Sequence, residues 1–187
     1  MISGNAANEI STVMEHDTVG RITKLYQAFG EPEQKVTAFG YNTSGIKDRV
    51  IKFDGTVIDY THDVLGRVST MTSSDASIDY EYTYDLNDNV TSIFDKVNGT
   101  STTKEYDCYN YLIKETLGNG QSVTYTNDLH GRMLQVNLSD DSAIGYEYDG
   151  SRLVRVFRID GTGSSSYSHS YDVYDFTGKV FVISFKG

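Results

Sequence analysis

The chain has 187 residues, with 15 Tyr and 17 Gly against 1 Pro, 0 Trp and 1 Cys. Aromatics at 12% and hydrophobics at 38% are too abundant for a disordered chain, and Tyr, Thr and Val suit a pleated surface. A net charge of −10 argues against nucleic acid and anionic lipid as partners, and a single cysteine excludes an internal disulfide framework.

No apolar run is long enough for a membrane span, and Met1-Ile2-Ser3-Gly4-Asn5 has no secretory leader pattern. Residues 1–15 read as a partial repeat or a frayed end. Residues 16–187 read as eight copies of one unit. Each is anchored on an acidic or amide residue: Asp17, Asn42, Asp63, Asp85, Asp107, Asp128, Asp149 and Asp175. From Asn42 to Asp149 the anchors recur every 21 or 22 residues.

The residue before the anchor is His16, Tyr41, His62, Tyr84, Tyr106, Asn127, Tyr148 and Tyr174, a ring in seven copies of eight. The residue three after it is Gly20, Gly45, Gly66, Asp88, Asn110, Gly131, Arg152 and Gly178. All but Arg152 tolerate a left-handed backbone. Asp-x-x-Gly is a turn: the carboxylate accepts backbone amides, and the fourth residue takes the positive φ of a β-bulge. The seventh unit is one residue shorter after its anchor.

Alternation precedes the turn, with Ile78, Tyr80, Tyr82 and Tyr84 on one face, and Ile144, Tyr146 and Tyr148 likewise. A second strand leaves it, as in Gly66-Arg67-Val68 and Gly131-Arg132-Met133. Asp54-Gly55, Asn98-Gly99, Asn119-Gly120 and Asp160-Gly161 mark the return turns as short hairpin signals. The expected fold is all-β: about sixteen short antiparallel strands in hairpin repeats. A sheet of that many strands should curve or spiral, ring-rich positions on its more enclosed face.

The run Tyr82-Thr83-Tyr84-Asp85, with Tyr146-Glu147-Tyr148-Asp149, Asp63-Val64-Leu65-Gly66-Arg67-Val68, Asp128-Leu129-His130-Gly131-Arg132 and Asp175-Phe176-Thr177-Gly178-Lys179, resembles the YD (Rhs) repeat over residues 16–181. That family includes bacterial Rhs and wall-associated proteins, the C component of insecticidal Tc toxins, and teneurins. The resemblance implies the wall of a hollow shell, built of further YD repeats and enclosing an effector polypeptide such as a toxin. A shell also implies a closing segment with an Asp-Pro-x-Gly-like sequence, whereas the sole proline here is Pro32. Neither that lid nor the enclosed contents is therefore expected in this sequence.

No enzyme, cofactor or metal is expected. Asp160-Gly161-Thr162-Gly163 resembles an aspartic-protease loop, and Asp54-Gly55-Thr56 would have to be its partner, but both fit the hairpin rhythm. Asp85-Leu86-Asn87-Asp88-Asn89 has calcium-loop spacing without the later Gly and Glu. The four histidines are scattered and Cys108 sits inside a turn. Arg21, Arg67 and Arg132 read as solvated strand positions beside the turn carboxylate. The alternative function is an adhesion module binding glycans or a surface protein through its tyrosines, with display outside the cell by a route lacking a signal peptide.

Overall fold

The computed structural model describes residues 11–174 and 180–186, with side chains described as far as Tyr171. Among these residues there are sixteen strands and no helix, and every described ladder is antiparallel between strands adjacent in the chain. The expected all-β hairpin architecture is borne out.

The chain divides into two compact units. The first runs to Tyr82 and takes in Phe94–Gly99. It holds β1 (Thr12–His16), β2 (Ile22–Gln27), β3 (Lys35–Tyr41), β4 (Lys47–Ile51), β5 (Val57–His62) and β6 (Val68–Ser73), most of β7 (Asp79–Tyr84) and the end of β8 (Val90–Asp95). The second holds the rest of β7 and β8, then β9 (Thr100–Tyr106), β10 (Leu112–Thr116), β11 (Ser122–Asn127), β12 (Met133–Asn137), β13 (Ala143–Asp149), β14 (Arg152–Ile159), β15 (Ser165–Tyr174) and β16 (Val180–Lys186).

Within a strand the period of two separates two faces. In the first unit Phe39, Val50 and Ile58 are opposite one another across three strands, as are Tyr60, Met71 and Tyr80. This is the ring face. The other face carries cross-strand ion pairs: Lys24–Glu15 at 3.2 Å, Arg49–Asp59 at 2.6 Å and Lys96–Glu81 at 3.0 Å. The second unit repeats the scheme with Lys114–Glu105 at 3.1 Å and Arg155–Glu147 at 3.2 Å. One pair departs from it. Lys104–Glu115, at 3.3 Å, shares the ring face with Val123 and Tyr125. Partial burial, followed by the negative charge of Glu115, pushes the Tyr125 phenol up.

Of the described apolar residues only Ile58 and Ala143 are buried, each 5% exposed, and no large side chain is fully buried. Each unit is thus held by half-covered cross-strand pairs, each contributing about 0.2–1 kcal/mol. The ladders shift register next to the anchors, as between Gly40 and Tyr41, Thr61 and His62, and Thr126 and Asn127. That bulge sets the pre-anchor residue opposite the fifth residue after the anchor: His62 faces Val68, Tyr106 faces Leu112 and Asn127 faces Met133.

Candidate functional site

The repeated turn is the feature from which everything else is positioned. At Asp63 the amide of Gly66 donates to the Asp63 carbonyl at 3.0 Å, and the Asp63 amide donates to Arg67 O at 2.8 Å. The side chain completes the turn: Oδ1 accepts the amides of Leu65 at 2.9 Å and Arg67 at 3.0 Å, while Oδ2 accepts Arg67 Nε at 2.8 Å. Asp17 and Asp128 bind Arg21 and Arg132 in the same way. Asp85 substitutes Asn89 Nδ2 for the guanidinium. Asn42 and Asp107 accept the two amides through Oδ1.

The fourth residue is left-handed in each of these turns: Gly20, Gly45, Gly66 and Gly131 at φ of 77 to 86°, and Asp88 and Asn110 at 67°. Partial burial works against ionisation of Asp128, but the Arg132 guanidinium and the amides of Arg132 and His130 hold its carboxyl down at about 2. The backbone amide of Arg21 leads the interactions that lower Asp17.

Asp149 is placed differently. It ends β13 opposite Arg152, and Gly150-Ser151 form the connection, with Gly150 at φ 57°. One missing residue converts the longer turn into a two-residue hairpin, so the left-handed position moves from the third residue after the anchor to the first. Asp175 and Gly178 lie outside the described residues; Tyr174 faces Val180 across the ladder.

The return turns use the same device. The amides of Gly55 and Gly120 donate to Lys52 O and Leu117 O, with φ of 86° and 84°. Asp54-Gly55 and Asn119-Gly120 are therefore the third and fourth residues of a longer turn, not the centre of a two-residue one. Asp160 is itself an anchor: its Oδ1 accepts the amides of Thr162 and Ser164 and the Thr162 hydroxyl, and the left-handed residue is Gly163, not Gly161. Among the described residues no group of three or more His, Cys, Asp or Glu is placed to hold a metal ion. Cys108 is exposed at its turn tip.

Within each unit two sets of contacts tie successive hairpins together. In the first, the pre-anchor side chain reaches back. Tyr41 Oη donates to Ile22 O at 2.7 Å, Tyr106 Oη to Val90 O at 3.0 Å and Tyr148 Oη to Met133 O at 3.0 Å. Asn127, the one copy without a ring, donates its amide to Leu112 O at 3.5 Å. The acceptor in each case belongs to the fifth residue after the preceding anchor. In Tyr84, which ends β7, the ring precedes Asp85 in the same sequence position.

In the second set, the fourth residue after an anchor lies across the next turn. Arg21 approaches Gly45, Ile46 approaches Gly66 and the Tyr111 ring occupies the space above Gly131. Asn89 Nδ2 donates to Asn110 Oδ1 at 2.9 Å, and Arg132 Nη1 donates to Gly150 O. The arginines also cover the tyrosines: Arg21 lies 4.5 Å from the Tyr41 centroid and Arg132 4.7 Å from that of Tyr148. Arg21 and Arg132 thus join a turn carboxylate to the ring of the following hairpin rather than standing in solvent. A sequence signal for this exists: a long side chain precedes a glycine one repeat later, and a short amide precedes an asparagine.

No protein-family model matches the sequence, and no curated protein matches it. Its fold is similar to crystal structures of TcdB2-TccC3. The form without the hypervariable C-terminal region aligns over 95% of this chain with a TM-score of 0.72 and 13% identity. A second TcdB2-TccC3 structure aligns over 93% with a TM-score of 0.68 and 15% identity. This chain spans 11% and 10% of those two chains, and the likeness is one of fold.

Proposed function

We propose that this chain is a stretch of YD-type shell wall whose role is to enclose or display another polypeptide, without chemistry of its own. The observation that carries the reading is the similarity of nearly the whole chain to TcdB2-TccC3, at a TM-score of 0.72. The site geometry agrees with it. Both carboxylate oxygens of Asp17, Asp63, Asp85 and Asp128 are engaged inside their own turns, so these repeated acids serve the backbone. Within each unit the contacts between hairpins hold successive repeats on one another, which is what a wall needs.

The test is to produce the chain within its native polypeptide, image the particles by electron microscopy, and challenge a co-expressed polypeptide with protease. The expected outcome is a hollow particle that shields its contents. Solid or absent particles with fully digestible contents would remove the reading.

A further inference from the structure

Two Asn-Gly pairs stand in exposed return turns, Asn98-Gly99 in the first unit and Asn119-Gly120 in the second, with the glycines left-handed at φ of 64° and 84°. An asparagine before glycine carries its own reaction. The glycine amide nitrogen can attack the side-chain carbonyl carbon, because no Cβ on the following residue crowds the five-membered ring that results. The two turns treat that nitrogen differently. The Gly120 amide donates to Leu117 O at 2.8 Å, and Asn119 Oδ1 accepts the Gln121 amide at 3.0 Å, so nucleophile and electrophile are both engaged inside the turn. In the other turn the contacts of Asn98 run back to Asp95: its amide donates to Oδ1 at 3.1 Å and its Nδ2 to Oδ2 at 2.7 Å. Among the described residues the Gly99 amide donates to no acceptor, and nothing lies within 4 Å of the place its Cβ would take.

We propose that Asn98 is a site of spontaneous covalent modification, converting to aspartate and isoaspartate through a cyclic imide formed with Gly99. The Gly99 nitrogen gives its proton to hydroxide and bonds to Asn98 Cγ. The Cγ–Nδ2 bond then breaks, and the amide leaves as ammonia, taking a proton from water. Water opens the ring at either carbonyl carbon. Breaking the new Cγ–N bond leaves aspartate; breaking the original peptide bond leaves isoaspartate, whose main chain runs through the side-chain carbon. No oxidant or reductant enters, since water goes in and ammonia comes out. Asn98 leads the interactions that hold the Asp95 carboxyl below its ordinary value. Conversion replaces that donor by a second carboxylate, so the reaction sets like charges together in the turn after β8.

The experiment incubates the full chain at mildly alkaline pH, folded and in urea, and follows both asparagines by peptide mass mapping with isoaspartate resolved by chromatography. Heavy-oxygen water marks the conversion that occurs during the incubation. In the folded chain Asn98 should convert about fivefold faster than Asn119, the factor for one hydrogen bond that must be given up before Gly120 can attack. In urea the two rates should converge, because neither glycine amide is then held. No conversion of Asn98 in the folded chain, or conversion no faster than that of Asn119, overturns the proposal. So does a ratio that persists in urea, which would assign the difference to the flanking sequence. Aspartate without isoaspartate would mean direct hydrolysis and would remove Gly99 from the reaction.

Discussion

Glycine at the fourth turn position has two separable reasons, and alanine substitution tells them apart. Gly120 has φ 84° and open space where a Cβ would stand. Gly131 has φ 77°, but its Cβ would lie 2.5 Å from Tyr111 Cζ. For Gly120→Ala the cost is left-handed strain alone, about 1 kcal/mol. For Gly131→Ala the Tyr111 ring must also swing away. Giving up about 40 Å² of ring contact at ~25 cal/mol per Å² adds about 1 kcal/mol. The melting temperature should fall by roughly 2–4 °C for the first variant and by about twice that for the second. Thermal and urea unfolding followed by circular dichroism give both values. A double-mutant cycle sharpens the test: in a Tyr111→Ala background, Gly131→Ala should cost no more than Gly120→Ala. Equal losses in the native background would refute the idea that the ring needs the glycine.

Tyr148→Phe removes one hydrogen bond to Met133 O while keeping a ring under Arg132. It should cost about 0.5–1.5 kcal/mol in urea unfolding, and no loss would mean that the hydroxyl bond is idle. Asp128 titrates at about 2 in the folded chain, against roughly 3.9 unfolded. Its contribution to stability is therefore complete above the unfolded value and disappears as pH falls through about 2. Arg132→Gln should raise the Asp128 carboxyl pKa, read by carbon NMR, and shift that loss to higher pH. An unchanged titration would remove Arg132 from the account.

The turn and strand pattern was legible because its chemistry is local. An anchor, its two amide donors and its left-handed fourth residue lie within five positions, so the six copies from Asp17 to Asp128 announce themselves. What escaped reading depends on the neighbouring hairpin. Arg132 resembles a solvated strand residue until Tyr148 and Gly150 are brought against it by the register of β12 on β13. The Asn-Gly and Asp-Gly pairs misled for a different reason. Asp54-Gly55 and Asn119-Gly120 mark the left-handed glycine but not how many residues precede it in the turn, and at Asp160-Gly161 the left-handed residue is Gly163 instead. Asp149 shows the converse, since deleting one residue leaves the anchor in sequence and changes the turn it enters. Lys104 was illegible as a ring-face residue because alternation alone cannot tell which face a run of Thr, Lys and Glu turns to its neighbours.

These contacts also explain how such units hold together with so little buried. A stack of independent hairpins would be marginal, because a two-stranded ribbon hides too little surface to offset its ordering entropy. Here the hydroxyl of Tyr41 closes on a carbonyl of the preceding hairpin, and Arg21 of that hairpin closes on the ring and turn of Tyr41. Each contact spans the junction in the opposite direction from the other. Neither can form unless both hairpins are in register, so the stabilisation belongs to the junction and not to either hairpin. Stability then grows with the number of junctions, as in other repeat architectures. A substitution at one ring or one fourth residue should accordingly weaken both hairpins that share it.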